Sequence, residues 1–348
     1  PVRDIDLPTG SLASLNASDL AVEVASSFVA IDENDSTTAA FTLTGTISLA
    51  DERIGISQLR VELDASGRQI PAQRLTGVVQ VNHLELMMAD TLEVKAESLE
   101  SELRVENLDA LPAELSARVS LVNMDMDVDT MTGRITGLEA SLTGLESEMQ
   151  VTGEGEFGGS ASELRGTVQF SQIALRNLMD ALEADDFISR DPQALQQLSG
   201  TARWIFGDEH GSLEDLNLRL DDSQLTGSFD IRNFADPAIR YDLVLDRIDA
   251  DRYLPSVDAA SPAIAPSEPT LLPLSTLKDL NLDGKLMIRQ LRASNIDLAD
   301  LQLKVNEQNN QLTLSLNGRA ANGSFGVEGG GNVGVPDPQL SGTLSLTN

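Results

Sequence analysis

Apolar and polar residues alternate one by one along most of this chain, and every other reading must satisfy that two-residue period. Successive side chains of a strand point to opposite faces, so strict alternation describes a strand with one dry and one wet face. The pattern is clear at Phe41, Leu43, Ile47 and Leu49, at Leu59, Val61 and Leu63, at Leu115, Ala117, Val119 and Leu121, and at Met124, Met126 and Val128. It returns at Leu216, Leu218 and Leu220, at Phe229 and Ile231, at Ile239, Tyr241, Leu243 and Leu245, at Leu301, Leu303 and Val305, at Leu312, Leu314 and Leu316, and at Leu344 and Leu346. This patterning predicts a mainly β protein, an elongated curved antiparallel sheet forming an open groove.

A loose repeat of an aliphatic residue, a spacer and a glycine opens many of these runs: LTGTISL from Leu43, LTGVVQV from Leu75, LRGTVQF from Leu164, LSGTARW from Leu198, LTGSFDI from Leu225, LDGKLMI from Leu282 and LSGTLSL from Leu340. Glycine within a strand often marks a bulge or bend, so its recurrence predicts a curved sheet. The irregular spacing argues for a meander of hairpins rather than the even coils of a β-helix. DASGR from Asp64, DDSQ from Asp221 and NEQNNQ from Asn306 are the expected hairpin turns.

Helical signals are confined to one place. Leu175, Leu178, Met179 and Leu182 make one stripe, and Asp191, Pro192 and Gly200 have the character of an N-cap, a first helical residue and a stop, so a small helical insert is expected over 174–200. From Leu254 to Pro273 the chain is rich in proline and small residues, which cannot sustain a ladder. The expected organisation is therefore a β-groove body over 1–253, a loop or linker over 254–277, and a continuation of the groove over 278–348.

Aromatic residues make up only 3% of the 348 residues, with Trp204, Tyr241 and Tyr253 the sole members of their types apart from nine phenylalanines. Thin aliphatic layers follow more naturally from this than one deep core. A formal charge of −31 repels phosphate backbones, which removes nucleic acid from the expected partners. The absence of cysteine is compatible with an oxidising compartment. Pro1–Leu7 has no signal character and no run reaches the ~18 apolar residues of a membrane helix, so the chain reads as a processed portion whose anchor lies outside it.

Motifs that could carry chemistry fail on their surroundings. Asp125, Asp127 and Asp129 imitate the start of a calcium loop, but Thr130 stands where glycine is required, and the interleaved Met124, Met126 and Val128 make the aspartates the wet face of a strand. GGGNVG from Gly329 resembles a dinucleotide loop, yet Pro336 and Pro338 follow where a helix is needed. His83 and His210 have no partners at zinc or nucleophile spacing. The expectation is a protein that is not an enzyme, with no catalytic, cofactor-binding or metal residues.

The dry strand faces need a cover, and two short helices cannot supply it. Sheet can pack on sheet, or the sheet can curl into a groove that takes an apolar ligand, each buried methylene contributing about 0.8 kcal/mol. The candidate groove residues are Met124, Met126, Val128, Leu218, Leu220, Phe229, Ile231, Leu243, Leu245, Leu286, Ile288, Leu301, Leu303, Val305, Leu312, Leu314, Leu344 and Leu346.

From about residue 40 onward the order of features resembles the AsmA family of bacterial envelope proteins. The resemblance is carried by the segment from LSGTARWIFGDEHG through DSQLTGSFDIRNFADP to LDRIDADRYLPSV, by LSTLKDLNLDGKLMIRQLRASNIDLADLQLKV after it, and by FSQIALRNLMDAL with DPQALQQLSG before it. It implies an inner-membrane anchor upstream, a periplasmic β-groove body, and further strands after Asn348. It also implies phospholipid or another acyl lipid as partner, in transport between the inner and outer membranes and in outer-membrane biogenesis. The competing reading is a non-lipid structural or assembly factor for outer-membrane proteins, in which the strands close into a dry sandwich and the acidic exterior binds envelope proteins.

Overall fold

The computed structural model describes residues 17–32, 35–50, 52–67, 72–88, 91–108, 111–144, 147–159, 162–176, 179, 189, 191–253, 281–321, 323–335 and 339–347. The chain is mainly β: eighteen strands belong to one largely antiparallel sheet that does not close. They are β1 (Ala17–Asp32), β2 (Asp35–Ala50), β3 (Arg53–Ser66), β4 (Ala72–Met88), β5 (Leu92–Leu108), β6 (Leu111–Asp127), β7 (Thr132–Gly144), β8 (Ser147–Phe157) and β9 (Glu163–Ile173). There follow β10 (Leu198–Gly207), β11 (His210–Leu220), β12 (Ser223–Arg232), β13 (Ala238–Asp249), the helix α1 (Ala250–Tyr253), β14 (Leu282–Ala293), β15 (Ile296–Gln308), β16 (Gln311–Ala320), β17 (Gly323–Asn332) and β18 (Ser341–Thr347). Two compact units divide the chain, the first Pro1–Gly144 with Gln150–Leu164, the second Leu145–Met149 with Arg165–Asn348.

In the first unit β1 to β7 pair in sequence order, each antiparallel to the next. The apolar phase slips by one residue in the middle of β3 to β7. β6 carries Leu115, Ala117, Val119 and Leu121 on odd numbers, then Met124 and Met126 on even ones. These two runs, which read in the sequence as separate strands, are halves of one. A slip of one residue would turn the second half to the wrong face unless an extra residue is absorbed. Gln58 in β3, Ser98 in β5 and Gly137 in β7 absorb it, with φ of 53°, 51° and 63°. They face Asn82 and Val122 on the strands between, so the pairing crosses this line in one register from β3 to β7, and the β5–β6 shift, between Glu106 and Leu108, falls at the end of β5. β2 has no such residue, and its pairing with β3 shifts between Thr44 and Thr46.

In the second unit β10 to β13 and β14 to β18 are antiparallel meanders joined by one parallel pair, β13 with β14. A parallel neighbour requires the chain to cross back over the sheet, and the connection here is long enough to do so. Two turns are of the two-residue kind that needs positive φ at both positions: Ser294–Asn295 (52° and 60°) and Asn309–Asn310 (54° and 62°). The DDSQ and NEQNNQ turns stand where the residue pattern puts them, at Asp221–Asp222 and Asn309–Asn310. DASGR is described only as far as Gly67.

Strand glycines have a use that the repeat did not reveal. Tyr241 and Gly284 are direct neighbours across β13 and β14, and a Cβ on Gly284 would lie 2.0 Å from the ring. Phe325 covers Gly318 (2.9 Å) and Phe170 covers Gly200 (2.8 Å) in the same sense. The ring fills the space a missing side chain leaves. Of the repeat glycines in this unit, Gly227 is held by its backbone as well, at φ 145° with the Asp242 carbonyl 2.0 Å from where a Cβ would sit.

The second half of the helical insert is a turn rather than a helix. Leu175, Arg176 and Met179 are helical, 192–195 form a turn, and Leu198–Gly200 already belong to β10, so Gly200 seats a ring rather than stopping a helix. Asp191 does cap, accepting the Gln193 N–H (2.8 Å), but over a turn. Residues 177–178, 180–188 and 190 of the insert, and the whole of the 254–277 segment, lie outside the described residues.

Candidate functional site

The register of the second unit sorts most of the expected groove residues into rows on one face, because directly paired residues point the same way. One row runs Leu218, Leu225, Leu245, Ile288, Leu301. The next runs Leu243, Leu286, Leu303, Leu316, Val327, Leu344. A third runs Phe229, Tyr241, Gly284, Val305, Leu314, and a fourth Ile231, Ile239, Leu282, Glu307, Leu312. Leu220 pairs with Leu198, and Leu346 with Phe325. Met124 and Met126 sit in β6 of the first unit, Met126 on the wall of a separate cavity of about 460 Å³. Val128 falls in the turn after β6, its N–H donated to the Leu92 carbonyl (2.8 Å).

Most of these side chains are neither buried nor fully exposed. Leu301 (5%) and Leu312 (2%) are buried, whereas Leu344 (66%) and Leu346 (75%) on β18 are open. Among the described residues the buried apolar side chains are few, and alanines are prominent among them. Leu225, Leu316 and Val327 share the rows and were readable from the same alternation. Glu307 is the surprise: it holds an apolar-phase position, is 2% exposed, and neither carboxylate oxygen has a hydrogen-bond partner.

A second feature lies at one end of this unit, where the late residues of β9, β11, β13, β14 and β16 meet the first of β10, β12 and β15. They enclose a cavity of about 1360 Å³. Its rim is tied by three consecutive residues of α1. The Asp251 carboxylate accepts the N–H groups of Ser294 (2.6 Å) and Asn295 (3.0 Å), holding the β14–β15 turn. Arg252 bonds Asp191 (2.6 Å) and Asp222 (3.1 Å). Tyr253 donates its hydroxyl to Asp221 (3.0 Å), which also accepts the N–H groups of Leu195, Gln196 and Gln197. The Gln193 N–H and the Arg252 guanidinium hold the Asp191 carboxyl below the usual range, while burial and the hydrogen bond to Asp221 push the Tyr253 hydroxyl up to about 12. The Asp-Arg-Tyr run was legible as a motif, but which turns it ties was not, because those partners are 30 to 61 residues away in sequence for Arg252 alone.

Among the described residues no cluster of three or more His, Asp or Glu could hold a metal ion, and no helix is long and apolar enough to cross a membrane. Comparison of the chain with family models, with curated proteins and with solved structures finds no match in any of the three.

Proposed function

We propose that this chain is a lipid-handling module of the bacterial periplasm that holds acyl chains against the aliphatic rows of β11 to β18. In this reading it is non-enzymatic, is anchored at the inner membrane in its full-length form, and supports phospholipid movement between the two membranes. The observation that carries the proposal is the set of four in-register rows whose leucines, isoleucines and valines mostly keep part of their surface accessible. Aliphatic side chains alone supply the contact an acyl chain needs, and a uniform lining lets the chain slide. The resemblance of the segments around LTGSFDIRNF and DADRYLP to the AsmA family supports the location and the cargo.

Leu303→Asp and Leu314→Asp test it, since both positions are half-buried while neighbouring Leu301 and Leu312 are core. The expected result is roughly a tenfold or greater loss of binding of a fluorescent acyl chain with the melting temperature nearly kept, while Leu312→Asp unfolds the protein. A loss of stability at Leu303 and Leu314 equal to that at Leu312 would make the rows a closed core and overturn the proposal. The assembly-factor reading is favoured by one observation of its own: every residue of β18 is exposed, and an exposed strand is a template for pairing with another chain.

A further inference from the structure

The cavity at the end of the second unit concentrates cationic side chains in a chain of net charge −31 with only 24 Lys and Arg in all. Arg219, Arg247, Arg252, Arg292 and Arg319 line it. Three are already neutralised: Arg252 by Asp191 and Asp222, Arg247 by Asp246 (3.3 Å), and Arg319 by Asp300. The other two differ. Among the described residues Arg219 reaches only the main-chain oxygen of Asp221 (3.4 Å), and Arg292 only the side-chain oxygen of Asn295 (3.3 Å). Among the described residues neither forms an ion pair, although Asp249 on β13 and Asp297 on β15 stand opposite Arg292 in the register.

The register aims three of the five arginines. Arg247 pairs with Gln290, Gln290 with Ala299 and Ala299 with Arg319, so that row, with Arg292 two residues beyond Gln290, projects from one face of the sheet. Asp222, Asp246, Asp249 and Asp297 also line the cavity, and polar neutral groups, among them Ser199, Thr201 and Asn217, complete the wall. A guanidinium outside any ion pair offers paired N–H donors whose geometry matches a phosphate, and hydroxyl and amide groups beside it suit the oxygens of an ester. The negative charge of the whole chain is screened beyond about 8 Å at physiological salt, so the lining itself, five arginines against four aspartates, decides what enters.

We propose that this cavity binds the phosphate of a phosphate ester, with Arg219 and Arg292 as its two direct ligands. The site stands on the cavity and its arginines and not on the aliphatic rows. The ester can be a lipid headgroup or a small soluble metabolite, and the test separates the two. Calorimetric titration of the full chain uses sn-glycerol 3-phosphate, inorganic phosphate, glycerol, and vesicles of phosphatidylglycerol in phosphatidylcholine. Saturable binding of glycerol phosphate with none of glycerol is expected, weakened roughly tenfold or more in R219Q/R292Q. Neither substitution orphans a carboxylate bound to it, so the variant is expected to fold, which its melting temperature checks. R219K/R292K keeps the charge and recovers part of the affinity. Binding of vesicles that falls in the same variant assigns the ester to lipid; binding of glycerol phosphate alone assigns it to a soluble ligand. Equal affinity for inorganic phosphate overturns the ester assignment, and no saturable binding, or affinity unchanged in R219Q/R292Q, overturns the site. Leu303→Asp leaves glycerol phosphate binding intact, so failure of the acyl proposal and of this one are read separately.

Discussion

The two units meet the demands of a long sheet differently. In the first, β4, β5 and β6 are each 17 residues long, and a left-handed residue on alternate strands lets every strand from β3 to β7 absorb its phase slip at the same line, so the register survives. In the second, strands of 7 to 13 residues carry isolated left-handed residues, Asp215 and Asp300, and next to each the pairing shifts. What holds the second unit's end is polar: α1 ties three turns with three consecutive side chains. Kinks that line up keep long strands in step across the sheet, whereas kinks that do not are accompanied by ties between turns and by the cavity those ties surround.

The contrast breaks first at the ties. Asp251→Ala strands two N–H groups and is expected to cost about 1.5–3 kcal/mol, read as a lower melting temperature and faster hydrogen exchange at Ser294 and Asn295. Asp129→Ala, which removes a single acceptor from the Leu92 N–H in the first unit, should cost about half as much or less; equal losses would abolish the distinction. A smaller effect tests the kink line. Ser98→Val places a β-branched residue at φ 51° and should cost about 1–2 kcal/mol in chemical denaturation, while Ser101→Val on the same strand stays within about 0.5 kcal/mol. Indistinguishable variants would mean that the left-handed line imposes nothing.

The smallest effect is spectroscopic and reports on the second unit alone, which holds both tyrosines. Burial raises Tyr241, and burial with the Asp221 bond raises Tyr253 to about 12. A raised folded value means that this contribution to stability is complete below pH about 10 and is lost as the pH climbs towards 12. Tyrosinate absorbance at pH 10 should therefore stay well under half of its final amplitude, and Tyr253→Phe should remove the later of the two steps. Half-ionisation at pH 10 would show an untied hydroxyl.

Strand identity was legible because alternation depends only on neighbouring residues. Strand length was not: Leu115–Leu121 and Met124–Val128 look like two strands since the slip between them, at Val122 and Asn123, is absorbed by Ser98 and Gly137 on the flanking strands. The aliphatic rows were legible in the same way, as far as Leu303 and Leu314, and an acid in phase with them at Glu307 was visible without its burial being so. The cavity arginines were not legible, because Arg219, Arg292 and Arg319 come from three strands and look like ordinary wet-face residues until the register sets them together. The glycine repeat was legible as a bulge marker, as the register shift at Gly45 shows, but its seating of rings was not, for the partner rings lie on other strands, as Tyr241 does for Gly284.

The parallel pairing of β13 with β14 also sets the order in which this sheet can assemble. In the second unit most antiparallel neighbours close over short turns, such as the two residues Asp221–Asp222, so hairpins can form early and zip onward. β13 and β14 are separated by residues 250–281, and closing a loop about sixteen times longer than a two-residue turn costs roughly 2.5 kcal/mol more in chain entropy. Two independently nucleated meanders, β10 to β13 and β14 to β18, would then join late at this seam, with docking of Asp251 on the Ser294–Asn295 turn marking the moment of closure.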